Sequence, residues 1–178
     1  LLRRLGTLYL ETGSYHKGLV TLRQAATFFR NHEQAPQITQ QMADTFSFLY
    51  LEKGADSLPP VAAIALHDEF KELTPAGARG DEMIRKLADR MVGVELFDRA
   101  DGLLQKQLQF RLKGTERSRV GTQLALIRLL SQDYEGVLNV LDETVEVGLT
   151  EQLTTQRKHL RARALMGLEA RGDALNLL

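Results

Sequence analysis

Tyr9-Leu10-Glu11-Thr12-Gly13 is repeated 41 residues further along the chain as Tyr50-Leu51-Glu52-Lys53-Gly54. A third stretch aligns with these two at the same spacing and without a gap. Four columns of the alignment keep their character. The columns Leu2/Ala43/Ile84 and Leu5/Phe46/Leu87 are apolar, Gly6/Ser47/Ala88 has small residues, and Tyr9/Tyr50/Met91 has large ones. A fixed period of this length is typical of stacked supersecondary units, each of which covers its apolar face with a neighbour.

Apolar residues recur at helical spacing along almost the whole chain, and period-two alternation never persists for the length of a strand. This pattern predicts an all-α fold of about ten helices. Breakers separate the helices at residues 13–14, 31–36, 54–60 and 74–80, and softer signals do so at 94–97, 112–115, 132–133, 148–150 and 170–173. Ser14, Asp133 and Thr150 are placed as helix N-caps. Pro59 and Pro60 suit a first turn, where the missing amide hydrogen would have had no partner.

Composition limits the classes of partner. The chain has 178 residues, 43% of them apolar, which is enough for a continuous core. Its 23 basic residues balance 23 acidic ones, so no general field attracts nucleic acid or anionic lipid. The absence of cysteine excludes disulfides and thiolate metal sites and is compatible with a reducing compartment. No apolar run approaches the roughly 20 residues that span a bilayer. We therefore expect a cytoplasmic protein that binds no nucleic acid and inserts into no membrane.

The first of the aligned stretches carries a family resemblance. It resembles the tetratricopeptide repeat at Leu5-Gly6, Tyr9, Gly13, Tyr15, Gly18, Leu22 and Ala25. The two antiparallel helices of that repeat need small residues where they cross. The second unit departs from the pattern, with Asp56 and Pro59 where the first has Tyr15 and Gly18, so its second helix should start later. The spacings of 41, 41 and 37 residues also exceed the usual 34 or so of the family.

The resemblance implies a right-handed α-solenoid of antiparallel helix pairs, forming a single array over residues 1–178. Its units would be approximately 1–36, 37–77, 78–114 and 115–148, with an incomplete fifth at 149–178, in a fragment of a longer protein. It also implies a non-catalytic scaffold that binds a protein or peptide segment on its concave face. The alternative is a spacer or self-association segment of a larger protein, including one with an enzymatic domain elsewhere.

In arrays of this family the first helix of each pair lines the concave surface. The resemblance places there six residues that we expect to contact a partner: Arg3, Asp44, Phe48, Arg85, Asp89 and Leu126. Phe48 and Leu126 would anchor the partner, and the arginines would hold its polar ends. The alternative, which is favoured at both apolar positions, is that they belong to the core, because helices inside a solenoid are often apolar on more than one face. The same carry-over places Thr122 and Leu129 on the concave face.

The sequence contains no pattern that predicts catalysis, a metal or a cofactor. His67-Asp68-Glu69 groups three potential ligands, but neighbours in a helix point in different directions, and a solvated face is the expected explanation. Arg79-Gly80-Asp81 and Arg171-Gly172-Asp173 match the tripeptide of integrin ligands. Turn chemistry explains both copies better, because glycine supplies a permissive dihedral and the following acid suits a helix N-terminus.

A basic stretch in the last third of the chain contains Arg157, Lys158, Arg161 and Arg163. Four acidic residues precede it: Asp142, Glu143, Glu146 and Glu151. An acidic partner could bind this stretch. We instead expect the acidic residues to neutralise it by packing between neighbouring units.

Overall fold

The computed structural model describes residues 1–52, 54–170 and 174. Within them the chain forms nine α-helices and two short 3-10 helices, and no strand. The α-helices are α1 Leu2–Glu11, α2 Tyr15–Phe28, α3 Ala35–Leu51, α4 Pro60–Glu69, α5 Ala78–Val92, α6 Phe97–Phe110, α7 Gly114–Leu130, α8 Tyr134–Glu143 and α9 Glu151–Gly167. The 3-10 helices are Gly54–Ser57 and Lys71–Leu73. The all-α prediction is confirmed, and none of these helices is both long enough and apolar enough to cross a membrane.

Two of the three predicted caps form side-chain hydrogen bonds. The Asp133 carboxylate accepts from the Gly136 amide at 3.0 Å, and the Thr150 hydroxyl accepts from the Leu153 amide at 3.3 Å. Ser14 occupies the N-cap position of α2, but its side chain makes no capping bond. Pro60 begins α4 and Pro59 precedes it, so this helix starts later than α2 does in its own pair, as the sequence predicts.

Gly80 is required for packing rather than for its dihedral. It lies inside α5 and is buried, and its φ is not among the positive values. A Cβ at this position would overlap the carbonyl oxygen of Pro75. The predicted permissive dihedral is therefore wrong for Gly80, whereas Asp81 does lie in the first turn of α5. The second copy of the tripeptide, at 171–173, lies outside the described residues.

The chain divides into two compact units, Leu1–Lys86 and Leu87–Leu178. In the first unit α1 and α2 run antiparallel and α2 also packs against α3. The backbones of α1 and α2 come closest at two glycines, because a Cβ on Gly18 would lie 3.2 Å from the carbonyl oxygen of Gly6. In the second unit α7 packs against α6, α8 and α9. The largest fully buried side chains include Leu19, Leu22, Phe46, Leu49, Tyr50 and Phe70 in the first unit, and Leu87, Leu104, Leu124 and Ile127 in the second.

Alternate helices lie side by side at a step of 34 or 35 residues. In the first unit Arg3 of α1 donates to Gln37 of α3 at 3.1 Å, a separation of 34 residues. In the second unit Gln123 of α7 donates to Asp89 of α5, again 34 residues apart, and Arg157 donates to Thr122, 35 residues apart. The sequence repeat of 41 residues exceeds the 34-residue step by seven residues, which is about two turns of α-helix. Residues 41 apart therefore lie on equivalent faces of two different helices, but their positions along those helices differ by two turns.

Candidate functional site

A row of side chains at helical spacing runs along α3. We call Gln37, Gln41, Asp44 and Phe48 the α3 row, because residues three and four apart lie on one face of a helix. Its first two members are tied to α1: Gln37 accepts from Arg3, and the Gln41 amide donates to the Thr7 hydroxyl at 2.9 Å. Asp44 accepts from the neighbouring Gln40 at 2.8 Å. Each polar member of the row is thus hydrogen-bonded to another side chain.

Phe48 closes the α3 row and is a surface residue. Its side chain is 44% exposed, so the expectation that it belongs to the core is wrong. The ring lies against the backbone of Gly54, where a Cβ would come within 2.6 Å of the Phe48 Cε1 atom. The glycine therefore makes the space that the ring occupies.

The second unit carries a similar row on α7. We call Arg119, Gln123, Leu126 and Leu130 the α7 row, which has the spacing of the α3 row. Leu126 is 37% exposed and Leu130 46%, so the core expectation is also wrong for Leu126. Gln123 joins the row to Asp89 of α5, with the amide nitrogen 2.6 Å from the carboxylate oxygen. Leu130 was not predicted from the sequence, although its position four residues after Leu126 could have indicated it.

The remaining predictions for this surface have mixed outcomes. Thr122 and Leu129 are buried, so their placement on the concave face is wrong. They lie on α7 beside the α7 row, on a flank that packing covers, where Thr122 accepts from Arg157 of α9. Arg85 lies on α5 and is partly buried. The structure thus brings Arg3 to the α3 row and Asp89 to the α7 row.

His67 is buried, and the predicted solvated face is wrong for this residue. Its ring centroid lies 5.5 Å from that of Phe46 and 5.4 Å from that of Tyr50, both on α3. The neighbouring Asp68 and Glu69 are exposed, so the three candidate ligands do point in different directions. Burial lowers the pKa of His67, and the charge of Asp68 opposes this shift only in part.

The carboxylate of Glu69 links the end of α4 to α2. Arg23 of α2 donates to it at 2.7 Å, and His16 of α2 lies 2.7 Å from its other oxygen. The Arg23 guanidinium also lies over the ring of Phe70, 4.2 Å from the centroid. The hydrogen bond with His16 lowers the pKa of Glu69, and the bond and charge of Arg23 add to the effect.

A buried arginine joins three helices of the second unit. Arg157 of α9 is 7% exposed, and its guanidinium donates to the Ser118 carbonyl oxygen, the Thr122 hydroxyl and the Leu141 carbonyl oxygen at 3.1, 3.0 and 2.5 Å. Each of these acceptors is neutral, and Leu141 lies in the last turn of α8, where a cation is favourable. Thr144 also accepts from this guanidinium, at 3.3 Å.

The expected neutralisation of the basic stretch by acidic residues therefore holds for Arg161 and fails for Arg157. Arg161 forms an ion pair with Asp142, as expected. Arg157 is instead satisfied by carbonyl and hydroxyl oxygens inside the unit. Burial lowers the pKa of Arg157, and the charge of Arg161 lowers it further.

Across residues 1–52, 54–170 and 174, no group of three or more histidine, aspartate or glutamate side chains is placed to hold a metal ion. In comparisons with known proteins, no family model matches the chain and no curated protein matches it significantly.

Proposed function

We propose that the chain is built from tetratricopeptide-like helix pairs and binds a segment of a partner protein on the α3 row of its first unit, in the cytoplasm and without catalysis. Two observations support the family assignment. The step of 34 or 35 residues between side-by-side helices matches the unit length of that repeat. The close approach of α1 and α2 at Gly6 and Gly18 is the crossing that the repeat requires.

The exposed ring of Phe48 is the observation that carries the binding proposal. An aromatic side chain offers a large contact area and loses few rotamers on binding, which is why aromatic residues dominate the energetics of many interfaces. Gly54 provides the surface on which this ring rests, and Gln41 and Thr7 are already bonded to each other. A partner segment would therefore dock on side chains that are largely ordered, and less entropy would oppose the complex.

We expect Phe48→Ser to weaken the binding of a partner peptide by about thirtyfold, the loss typical of an interface anchor. The probe is a peptide selected from a phage-displayed random library on the wild-type chain, labelled and measured by fluorescence anisotropy. Val61→Ser is the matched control, because Val61 is exposed in the same unit but lies on α4, outside the row. It should change the dissociation constant less than about twofold.

Equal binding by the wild-type chain and Phe48→Ser would contradict the proposal. Sedimentation equilibrium separates it from self-association. A dimer that dissociates in Phe48→Ser would assign the α3 row to contact between copies of this chain, whereas a monomer that binds the peptide supports recognition of a partner.

A further inference from the structure

Two histidines near the end of α4, one on this helix and one on α2, lie in opposite environments. His67 is buried on the side that faces α3. His16 reaches Glu69 from α2, and its side chain is 62% exposed. The two histidines therefore differ in how far water reaches them.

Protonation of His67 opposes the folded arrangement of α4. Its Nε2 atom has the Thr74 hydroxyl as a hydrogen-bond partner, at 3.4 Å, and the faces around the ring are aromatic. A buried imidazolium without a carboxylate partner is costly, because burial removes its hydration. The charged form must therefore reach water, and α4 must move for that to happen.

Among the residues that the structure describes, none of the other titratable and charged groups around α4 is seen to pair with the His67 ring. Asp68 precedes Glu69 on the exposed side of the helix, and its charge favours protonation less strongly than burial opposes it. From α3 comes the Tyr50 phenol, which donates to the Ala63 carbonyl oxygen at 2.6 Å. From α2 come Arg23 and His16, which are both bonded to Glu69. Lys71 and Glu72 of the 3-10 helix are exposed, and Glu72 lies 3.8 Å from Arg23.

The contact between His16 and Glu69 lies at the surface of the unit, where the His16 side chain is 62% exposed. Exposed ion pairs contribute little, since water screens them and ordering the side chains has an entropic cost. The buried site therefore determines the response of α4 to acid.

We propose that residues 60–73, which we call the α4 segment, form a pH-responsive element that opens away from α3 more often under mildly acidic conditions. Release would carry His67 away from Phe46 and Tyr50 and would break the bond between Tyr50 and Ala63. The proposal is independent of what the α3 row binds.

The direction of the response follows from proton linkage. The released segment binds a proton on His67 with the ordinary histidine pKa of about 6.5, and the packed segment binds it only at lower pH. Packing is therefore unaffected above that value. Below about pH 6.5 the equilibrium constant for packing falls by at most about tenfold for each pH unit, until the pH reaches the lowered pKa of His67 in the packed state.

Hydrogen exchange measured by mass spectrometry on the 178-residue chain tests the proposal. Between about pH 7.5 and about pH 5.5, and after correction for the intrinsic exchange rate, we expect protection of the α4 segment to fall by more than twofold and by at most about tenfold. Protection of α8 in the second unit should change less than about twofold. His67→Phe should abolish the fall, and His159→Gln, which replaces an exposed histidine on α9, should retain it.

Three results would overturn the proposal: no fall in the wild type, an equal fall in α8, or an undiminished fall in His67→Phe. If His67→Phe does not fold, the His67 ring proton of the wild type is titrated by NMR. A midpoint below the ordinary histidine value supports the proposal, and a midpoint at or above it contradicts the proposal.

Discussion

Replacing Gly80 by alanine is expected to lower the free energy of unfolding by about 3 kcal/mol, the upper end of what overpacking a core costs. The new methyl group would overlap the carbonyl oxygen of Pro75, and it would lie 3.0 Å from the carbonyl carbon. Both are backbone atoms, so no rotamer change relieves the contact, and the start of α5 would have to move. Urea denaturation followed by far-UV circular dichroism measures the loss.

Gly102→Ala is the matched control for the Gly80 variant. Gly102 lies inside α6, and no heavy atom of a neighbour lies within 4 Å of the position that its Cβ would take. Alanine costs less backbone entropy in a helix than glycine, so this variant should gain about 0.5–1 kcal/mol. A Gly80→Ala protein as stable as the wild type would show that the backbone at Pro75 is not fixed.

Replacing Arg157 by methionine is expected to lower the free energy of unfolding by about 2–3 kcal/mol. The substitution keeps most of the side-chain volume but removes the donor from buried acceptors on α7 and α8. Exchanging a whole buried polar set for apolar residues is often harmless, but here the Ser118 and Leu141 carbonyl oxygens stay behind without this donor. Thermal and urea denaturation should both report the loss.

Arg163→Met makes the same chemical change on the exposed side of the same helix. We expect it to alter stability by less than about 0.5 kcal/mol, as is usual for surface positions. Arg157→Lys should fall between the two, since a single ammonium cannot reach both carbonyl oxygens in the geometry of the guanidinium. Equal stability of Arg157→Met and Arg163→Met would contradict a structural role for the buried cluster.

The sequence predicted the helices well because the signals that delimit them are local. Glycine and proline clusters fall between the helices or in their first turns, and Asp133 and Thr150 cap as expected because the bonds that they form span three residues. Ser14 fails as a side-chain cap although its residue type and position are suitable. The local sequence pattern thus predicted where a helix begins more reliably than it predicted whether the N-cap side chain forms a hydrogen bond.

Burial was predicted less well, because it depends on which neighbour covers each side of a helix. His67 was expected on a solvated face, yet packing from α3 buries it. Arg157 was expected to be neutralised by acidic residues, yet it is buried and bonded to oxygens of α7 and α8. Phe48 and Leu126 were expected in the core on account of their apolarity, and both are exposed. The acceptors of Arg157 lie between 13 and 39 residues away, beyond the reach of any local pattern.

The difference between the 41-residue repeat and the 34-residue step has a consequence for how such a chain can change in length. Seven residues advance a helix by about 10 Å and turn its side chains by only about 20°. An insertion or deletion of seven residues in α3 would therefore leave Phe48 and the amides before it aligned in one direction, whereas one of two or five residues would turn part of the row toward the interior. The length of a helix and the direction of its side chains can thus be altered separately, provided that the helix is lengthened or shortened by seven residues at a time.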